Sequence, residues 1–436
     1  MTDSKALTTC DVTVLGAGLA GKATALHLAK AGLHVICLEP EESVRKPLGE
    51  SLDWSAPELL RVLGLPMDDL IARRIATWKK HVTVKMPDGH AAHYDPTPWL
   101  AGPPFHIELR TLHVDRMRLD AELLRLALDQ GVSVIRDKVI RVDVEGRKVS
   151  AVHTAGGGQF SSPWFVDASG FSACILARKF DLGSVEFGPA KVAIWTYFPA
   201  PETVEGTTLY MHSAPSEYLD WIWEIPISQE MVSVGYTTTG ESVKAKRKQG
   251  LSVDQIFHEE LERFPHLKEL ATAGTSEPTN VTSFRCRAYT SAAGLNWMIT
   301  GEAAAMVDPM TSNGVTAALR HAAEASRLIL KHRKRGRLPW LARVCYSSRI
   351  LQMAKFFNSG IEKIIYETPV RNRIGMGSAG TVYTSPAWSM NVVYARLRPQ
   401  GVFSTSILNV LLGFFRASAW LFHFLCKSFP QPVEAN

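Results

Sequence analysis

The first forty residues contain two patterns of apolar residues, one typical of strands and one typical of a helix. Residues 11–15 and 34–38 are short apolar runs of the kind found in buried strands. Between them, apolar residues recur at spacings of four and three, at Leu19, Ala23 and Leu26. That spacing is the period of a helix. The succession of strand, helix and strand predicts a β-α-β unit, whose parallel strands require helices to cover the sheet.

The same criterion divides the rest of the chain. Residues 116–130 have helical spacing. Short apolar runs that predict strands follow them, at 132–135, 139–144, 149–153 and 165–168. Residues 191–239 alternate between apolar and polar positions without a strong helical pattern, which predicts an antiparallel sheet. A buried strand at 296–300 then precedes a long helix that reaches about residue 330.

This pattern predicts an α/β fold with a discontinuous nucleotide-binding domain. We assign residues 1–185 and 280–335 to a Rossmann-type domain, and residues 186–279 to an inserted antiparallel β-sheet that faces the substrate. Parts of residues 75–110 are expected to face the substrate as well. Residues 336–436 are expected to form a helical C-terminal region.

The composition is that of a folded protein of two or three packed units, with 436 residues, 46% hydrophobic and 21% charged. A net charge of +6 is modest for this length and does not indicate a nucleic-acid partner. The six cysteines are scattered without CxxC spacing, which favours a reducing compartment and argues against a disulfide framework or a metal site. The first ten residues lack the apolar core of a secretory signal, so we expect a cytoplasmic protein.

Two segments of the second half leave a membrane or partner contact open. Residues 402–426 are strongly apolar but are interrupted by Arg416 and His423, and a charge near the centre disfavours a membrane-spanning helix. The alternatives are a docked C-terminal helix, a peripheral membrane or partner anchor and, least favoured, a true membrane span. The basic run at 331–337 is typical of a solvated helix end, with an acidic partner or anionic lipid as the alternative.

A glycine-rich turn joins the first strand to the first helix. Its sequence, Gly16-Ala17-Gly18-Leu19-Ala20-Gly21, has the spacing of the dinucleotide-binding fingerprint, and Glu39 ends the next strand. The first glycine permits a tight turn, the second lets the backbone approach a pyrophosphate, and the third lets helix and strand pack closely. The helix N-terminus would bind the phosphates, and Glu39 would accept hydrogen bonds from ribose hydroxyls.

A second motif indicates which dinucleotide binds. Residues 301–309, which include Gly301, Glu302 and Asp308, follow an apolar strand and precede the long helix. A carboxylate at Glu302 can bind ribityl hydroxyls, while the helix N-terminus faces the polar edge of a flavin ring. Many proteins of this class carry Asp where this chain has Glu302. Together the two motifs predict an FAD site.

These motifs and four other features resemble the flavin-dependent halogenases, the tryptophan-halogenase-like branch of the FAD-dependent monooxygenases. The added features are Lys79, Gly49-Glu50-Ser51, the WxWxIP pattern of residues 221–226, and Asp308-Pro309-Met310-Thr311-Ser312-Asn313-Gly314. The WxWxIP pattern discriminates best, because hydroxylases share the others. The resemblance implies a glutathione-reductase-like FAD-binding fold and a two-component enzyme supplied with reduced FAD by a separate flavin reductase.

The resemblance also implies roles for individual residues. In this family, reduced FAD, oxygen and chloride or bromide give hypohalous acid, and Lys79 falls where the catalytic lysine positions that oxidant. Trp221 and Trp223 lie on the same face of a strand and would form the wall that separates flavin from substrate. The backbone N–H groups of Asn313 and Gly314 would hold the halide. A surface lysine is the alternative for Lys79, and a buried structural strand is the alternative for the two tryptophans.

Further residues are assigned to the cofactor by the same resemblance. They are Gly49, Glu50, Ser51, Arg116, Val139 and Ser312. Arg116 has two interpretations of equal weight. It either lies near the FAD pyrophosphate or adenine, or it is a surface arginine that pairs with Asp120 at i,i+4.

The sequence departs from the family at one catalytic position. Halogenases that act on free tryptophan carry Glu where this chain has Thr311, which favours a phenol or pyrrole substrate over free tryptophan. The substrate is either free, tethered to a carrier or part of a peptide, and the segment 99–106 is expected to line its pocket. A flavin-dependent aromatic hydroxylase on the same scaffold is the alternative function. A flavoprotein recognised through its C-terminal segment is a third.

Overall fold

The computed structural model describes residues 7–40, 47–87, 89, 91–94, 110–199, 205–213, 218–274 and 277–366. The predicted pocket segment 99–106 and the apolar segment 402–426 lie outside these residues. No helix in the described part of the chain combines the length and apolarity needed to cross a bilayer.

The strands of the described residues are short, apart from those of the inserted sheet. They are β1 (Leu7–Thr9), β2 (Val12–Leu15), β3 (Val35–Glu39), β4 (Ala76–Lys79), β5 (His81–Lys85), β6 (Ala91–Tyr94), β7 (Thr111–Val114), β8 (Ser133–Arg136), β9 (Val139–Glu145), β10 (Lys148–Thr154), β11 (Gln159–Ser161), β12 (Trp164–Asp167), β13 (Ser184–Pro199), β14 (Gly206–Ser213), β15 (Leu219–Pro226), β16 (Met231–Thr239), β17 (Asn280–Tyr289), β18 (Trp297–Ile299) and β19 (Ala305–Met306).

The α-helices fall mainly in the nucleotide-binding part and near the end of the described chain. They are α1 (Leu19–Lys30), α2 (Ala56–Leu63), α3 (Met67–Ala72), α4 (Arg116–Asp129), α5 (Gly170–Ala173), α6 (Ile175–Lys179), α7 (Gly240–Lys248), α8 (Val253–Leu261), α9 (Pro265–Thr272), α10 (Gly314–His332) and α11 (Trp340–Ile361). Short 3-10 turns lie at 301–303, 309–311 and 333–335, and a π-helical turn at 362–366 follows α11.

The first sheet contains the predicted β-α-β unit. Its five parallel strands have the order β18-β12-β2-β3-β8, so β2 is central, and all four of its residues are buried. Helix α1 follows β2 and packs against α4 and α10. Helices against a buried parallel sheet are what the apolar runs of its strands require.

The largest sheet has eight strands in the order β19-β17-β13-β16-β15-β14-β5-β6. Alternate side chains of its strands point to opposite faces. Trp195, Trp221 and Trp223 lie on the face that joins the main hydrophobic core. Ile194 and Ile222 lie on the other face, in a second core closed by helices α7, α8 and α9.

The predicted fold class is confirmed, and the inserted region differs in three details. It contains helices α7 to α9 as well as strands, and its sheet continues into β17 and β19. The β5–β6 hairpin, from the segment 75–110, extends the sheet at its other edge. There β5 pairs in parallel with β14, whereas the other neighbours are antiparallel. The boundaries of the three predicted units stay a prediction.

Candidate active site

A cavity of about 400 Å³ lies between the parallel sheet and the inner face of the eight-stranded sheet. Many of the predicted site residues line it. They are Gly18, Ala20, Gly49, Glu50, Ser51, Arg116, Trp221, Trp223, Glu302, Ser312 and Gly314. The motifs that bring these residues together come from segments far apart in the sequence, so the fold assembles them into one site.

The glycine-rich turn has the geometry that its spacing predicts. Gly16 has a φ of +100°, and a Cβ there would lie 2.5 Å from the carbonyl oxygen of Ala168. A Cβ at Gly21 would overlap the carbonyl oxygen of Gly16. Around Gly18, by contrast, a Cβ would meet nothing within 4 Å, and no side chain caps helix α1. The second glycine therefore leaves an open approach to uncapped backbone N–H groups, which suits a pyrophosphate.

Several predicted cofactor residues are not part of the lining of the cavity. Glu39 accepts a hydrogen bond from the backbone N–H of Ala17, which places its carboxylate against the glycine-rich turn. Gly301 has a φ of +59° and packs on Ala20, where a Cβ would come within 2.6 Å. Val139 begins β9, in the four-stranded sheet of β1, β11, β10 and β9. Their contacts with a cofactor stay a prediction.

The contacts of Arg116 bear on both of its interpretations, and its contact with a cofactor stays a prediction. Its guanidinium lies 3.3 Å from the Asp120 carboxylate at i,i+4, and it also donates to the carbonyl oxygen of Leu48. It is not a surface residue, however, because only 8% of it is exposed and it lines the cavity. Gly49, at a φ of +100°, leaves room for it, since a Cβ there would lie 2.7 Å from Nη1 of Arg116.

Glu50 is a buried acid on the same wall of the cavity. Its carboxylate accepts a hydrogen bond of 2.7 Å from the Tyr197 hydroxyl. Burial raises the pKa of Glu50 to about 7, although hydrogen bonding and the charge of Arg116 oppose this rise. The sequence did not indicate Tyr197. Its hydrogen bond fixes the orientation of Glu50, which the sequence did indicate.

The loop from Asp308 to Gly314 turns into helix α10 at the cavity. The Asp308 carboxylate accepts from the Met310 N–H at 3.0 Å, and the Thr311 hydroxyl donates to the Asp308 carbonyl at 2.9 Å. Ser312 adopts a left-handed conformation with a φ of +56°. Helix α10 has no side-chain cap. A second uncapped helix N-terminus therefore points to the cavity, which favours an electron-rich group there.

The loop divides the predicted halide and catalytic residues. Ser312 and Gly314 line the cavity. Thr311 and Asn313 are buried instead, and the Asn313 amide donates to the Thr311 carbonyl at 3.3 Å. Their side chains therefore stabilise the loop, and direct contact of Thr311 or Asn313 with a reactant stays a prediction.

Lys79 is buried at the end of β4, with 2% of its surface exposed. Its Nζ donates to the Leu52 carbonyl at 3.0 Å and lies 3.5 Å from Oγ of Ser312. The Trp54 ring centroid is 5.2 Å from Nζ. Burial lowers the pKa of Lys79 to about 7, against a weaker opposing attraction from Asp53. The amine is therefore available in both its neutral and its charged form near neutral pH.

Lys80 has the opposite environment, as the alternation of a strand predicts. Its side chain is exposed, and its Nζ forms an ion pair with Glu205. The two adjacent lysines thus point to opposite sides, and only Lys79 reaches the loop at the cavity.

A row of hydrogen-bonding side chains continues from Lys79. Ser312 Oγ donates to Ser51 Oγ at 3.2 Å, and Ser51 Oγ lies 2.9 Å from Thr207 Oγ1. Thr207 Oγ1 in turn lies 2.9 Å from Nε2 of His113. Burial lowers the pKa of His113 well below its ordinary value, and the nearby Lys79 adds to this effect, so His113 is neutral. The row links the buried amine to polar groups of β7 and β14.

Three tryptophans form the wall of the cavity on the large sheet. Trp221 and Trp223 lie on the same face of β15, with ring centroids 5.6 Å apart. Trp195 of β13 also lines the cavity. Gly235 of β16 pairs with both Trp195 and Trp223, and a Cβ there would overlap the Trp223 ring. The glycine makes room for the indole, so the wall depends on a residue that no motif contains.

A buried ionic cluster lies behind this wall. Lys191 Nζ is 2.9 Å from the Asp308 carboxylate and 3.0 Å from that of Glu362. The Tyr366 hydroxyl donates to Asp308 at 3.1 Å and accepts from the Trp221 indole N–H at 2.9 Å. Burial alone would lower the pKa of Lys191, but attraction, first of all from Asp308, raises it above its ordinary value.

This cluster was missed by the sequence analysis, and its physical effect is to hold the site together. It ties the loop that begins at Asp308 to β13, to the end of α11 and to the tryptophan wall. The sequence signal was weak, because a lysine in a strand is usually exposed. Trp195 had a stronger sequence signal, since it alternates with Ala193 and Tyr197 on the inner face of β13.

The fold and cavity define a class. Two uncapped helix N-termini, a glycine-rich turn and a carboxylate at Glu302 meet in one cavity, which is the arrangement of a flavoprotein of the Rossmann type. The model of the tryptophan halogenase family matches residues 108–334, more than half of the chain. The protein therefore belongs to the tryptophan halogenase family. The lycopene cyclase model matches residues 11–196, which contain the glycine-rich turn.

Individual proteins agree with this assignment. A tryptophan 2-halogenase from Chondromyces crocatus is 28% identical over 328 residues, or 71% of this chain and 59% of the relative. A 1H-pyrrole-2-carbonyl-[peptidyl-carrier protein] brominase from Pseudoalteromonas luteoviolacea (strain 2ta16) is 28% identical over 340 residues, 73% of this chain and 77% of the relative. The chain thus spans about three fifths of the first relative's length. The solved flavin-dependent brominase Bmp2 shares the fold, with a TM-score of 0.69 and 23% identity over 90% of this chain and 99% of that one.

Proposed function

We propose that this protein is an FAD-dependent halogenase that uses reduced flavin, O2 and a halide to halogenate an electron-rich aromatic substrate. The observation that carries the proposal is Lys79, a buried amine within 3.5 Å of Ser312 on the loop at the cavity. Bound and reduced, FAD supplies the activation of oxygen and the oxidation of the halide. The protein's own part is to hold the cofactor, separate it from the substrate and deliver the oxidant.

The residues present fit FAD. Gly18 and the N-terminus of α1 would hold the pyrophosphate with the help of Arg116, and Glu302 would accept from the ribityl hydroxyls. The N-terminus of α10 would face the electron-rich edge of the ring. The tryptophans Trp221 and Trp223 would keep the substrate apart from it.

A pair of glycine variants tests this placement. In Gly18→Ala the added Cβ has no atom within 4 Å, and alanine readily adopts the φ of −68° found there. The fold should therefore be unchanged. FAD affinity should fall by about tenfold or more, because the methyl group obstructs the approach of the pyrophosphate. Gly21→Ala should instead disrupt the turn itself. Unchanged FAD affinity in a folded Gly18→Ala protein, measured by flavin fluorescence titration, would show that the pyrophosphate lies elsewhere.

Lys79 can act on hypohalous acid in two ways at neutral pH. The charged form donates a hydrogen bond to the oxygen and makes the halogen more electrophilic. The neutral form takes up the halogen, with an N–halogen bond formed and water released. Its lowered pKa keeps both forms populated near pH 7. In either case Lys79 holds the oxidant behind the tryptophan wall, where the substrate is expected to bind.

The first experiment measures products directly. The FAD-loaded protein is supplied with a flavin reductase, NADH, bromide and a panel of phenols, pyrroles and indoles, and products are identified by mass spectrometry. We expect a brominated product. Lys79→Met should lose it by at least about a hundredfold while oxygen consumption continues. Lys80→Met, the exposed neighbour, is the matched control and should behave like the wild type.

One observation favours a second candidate, an aromatic hydroxylase. Thr311 carries no carboxylate, and its hydroxyl is engaged by the Asp308 carbonyl within its own loop. In that case the product would be heavier by one oxygen with or without bromide, and Lys79→Met would retain it. This outcome would replace the halogenase proposal.

The partners follow from the same proposal. The described residues contain one dinucleotide fingerprint, which fits flavin that is reduced by a separate flavin reductase. Two pyrrole halogenases among the relatives act on substrates tethered to a peptidyl-carrier protein. A carrier-tethered aromatic acyl group therefore belongs in the substrate panel beside the free compounds.

A further inference from the structure

A surface that combines exposed cations with exposed apolar side chains follows the long helix α10. We call it the basic patch and define it by eight exposed residues at the end of α10 and the start of α11. Its cations are Lys331, Arg333, Lys334, Arg335 and Arg337, and its apolar members are Trp340, Leu341 and Val344. None of them lines the cavity.

The charge of this region is one-sided. Residues 325–361 contain nine Lys and Arg residues and no Asp or Glu. Arg327 and Arg349 share the single carboxylate of Glu324, which offsets one of their two charges. The five cations of the basic patch have no ion-pair partner within the described part of the chain. The pKa of His332 is lowered by burial and by the neighbouring charges of Lys331 and Arg335, as expected of a concentrated positive field.

The apolar members are unusually exposed for their size. Trp340 is 67% exposed, Leu341 is 63% exposed and Val344 is 42% exposed. Their spacing of one, three and four places them on one side of the first turn of α11. The opposite side of this helix is already buried, through Tyr346, Ile350 and others. The helix therefore has a second apolar face, which the described residues of the chain leave exposed.

We propose that the basic patch docks the protein onto the surface of an anionic phospholipid bilayer. An exposed tryptophan and leucine can enter the interface between headgroups and acyl chains, while flanking Lys and Arg side chains reach the phosphates. Bilayer binding needs only this non-directional combination of apolar insertion and positive charge. The inference does not depend on the proposed halogenase activity, since it uses no residue of the cavity.

A second basic run sharpens the inference by contrast. Helix α7 exposes the three cations Lys244, Arg247 and Lys248. Their total charge equals that of any three cations of the basic patch. Helix α7 also carries the acid Glu241, and no large apolar side chain of α7 is exposed. If charge alone attracted the bilayer, the two runs would contribute alike. If apolar insertion and charge act together, only the basic patch should matter.

The test is vesicle co-flotation of the full-length, FAD-loaded protein. The vesicles contain phosphatidylcholine either alone or mixed with anionic phosphatidylglycerol. We expect binding to the anionic vesicles that weakens with salt. The triple variant Arg333→Gln, Lys334→Gln, Arg335→Gln should lower the partition coefficient by about fivefold per charge, on the order of a hundredfold in all. The double variant Trp340→Ser, Leu341→Ser should lower it by at least about tenfold.

The matched control is Lys244→Gln, Arg247→Gln, Lys248→Gln, which removes the same charge from α7 and should leave binding within about twofold of the wild type. Equal losses in the two triple variants would overturn the proposal, because general electrostatic attraction would explain both. Absence of binding to anionic vesicles would also overturn it, and an acidic protein would then be the partner to seek. Binding that neither patch variant reduces would assign the contact to another segment.

A melting-temperature measurement separates docking from internal packing. Trp340→Ser, Leu341→Ser should leave the melting temperature of the protein in solution unchanged, since an exposed side chain contributes little to stability. A fall of several degrees would show that the chain itself covers these residues, and would overturn the proposal whatever the vesicles do.

Discussion

Two buried lysines contact the loop that begins at Asp308, and they have opposite electrostatic environments. Lys79 touches a carbonyl and a hydroxyl, and burial lowers its pKa to about 7. Lys191 touches two carboxylates, and their attraction raises its pKa above the ordinary value. Both side chains are almost completely buried. Burial alone therefore does not decide whether a lysine is charged; its partners do.

The difference in pKa indicates a chemical role for Lys79 and a structural role for Lys191. A lysine that can lose its proton near neutral pH can serve as a nucleophile or an acid. A lysine held in its charged form between Asp308 and Glu362 is a fixed tie between segments. The fold thus places two buried lysines against one loop: Lys79, which we propose for the reaction, contacts Ser312, and Lys191, which anchors the loop, contacts Asp308. Four changes test this division, from the largest expected effect to the smallest.

Lys191→Met should be the most damaging change. It leaves the carboxylates of Asp308 and Glu362 buried without a cation, which typically costs about 3–5 kcal/mol. The free energy of unfolding, from urea denaturation, should fall by that order. Adding Glu362→Gln to the variant removes one unpaired charge and should restore part of the loss. Unchanged stability in Lys191→Met would mean that the cluster is not the anchor described here.

Lys79→Met should have the opposite effect on stability and a pH dependence of known sign. The pKa of Lys79 is about 7 in the folded protein and 10.5 in its ordinary state. Below about pH 7 both folded and unfolded chains carry the proton, so folding bears the full cost of a buried cation. Between these values the folded protein releases the proton first, and the cost falls as pH rises.

We therefore expect Lys79→Met to raise the free energy of unfolding by on the order of 3 kcal/mol near pH 6 and by progressively less towards pH 10. Urea denaturation at a series of pH values measures this difference. A gain that is constant with pH would show that Lys79 keeps its proton in the folded protein.

Tyr366→Phe should lower stability less, and it should also affect the cavity through Trp221. The variant loses the hydrogen bonds to Asp308 and Trp221 but keeps the ring that lies 4.0 Å from Nζ of Lys191. A loss of about 1 kcal/mol in stability is expected. If Tyr366 positions the wall, the ratio of hydrogen peroxide released to product formed should also rise, whereas a purely structural role would leave that ratio unchanged.

Asp53→Asn should have the smallest effect, which is expected on the pKa of Lys79. Asp53 attracts Lys79 and opposes the lowering of its pKa. Its removal should lower that pKa further and move the pH profile of product formation to lower pH by less than about one unit. Movement towards higher pH, or none, would show that Asp53 does not contribute to the field at Lys79. Lys80→Met provides the reference profile.

The sequence predicted the elements whose signals are local. The first helix was predicted from the spacing of Leu19, Ala23 and Leu26, and it runs from Leu19 to Lys30, because this spacing acts within a few residues. The opposite orientations of Lys79 and Lys80 followed from strand alternation. Glycine spacing likewise predicted the turn at Gly16, where only a residue without a side chain fits.

The elements that the sequence did not predict depend on long-range contacts. The partners of Lys191 come from residues 308 and 362, far along the chain. A register shift in the β13–β17 pairing between Phe187 and Lys191 also breaks the alternation that would indicate which way Lys191 points. Gly235 belongs to no motif, and its role follows only from the indole that lies across from it.

The parallel pairing of β5 with β14 has a consequence for the order in which the site forms. β5 begins at His81, immediately beyond Lys79 and Lys80, and pairs with a strand that begins at Gly206. The contact of Lys79 with Ser312 spans 233 positions of sequence. Such distant pairings form slowly, and during synthesis the lysine leaves the ribosome long before its neighbours exist. Lys79 is therefore an ordinary, solvated and fully charged lysine in the nascent chain, and its pKa falls only when the described fold has buried it.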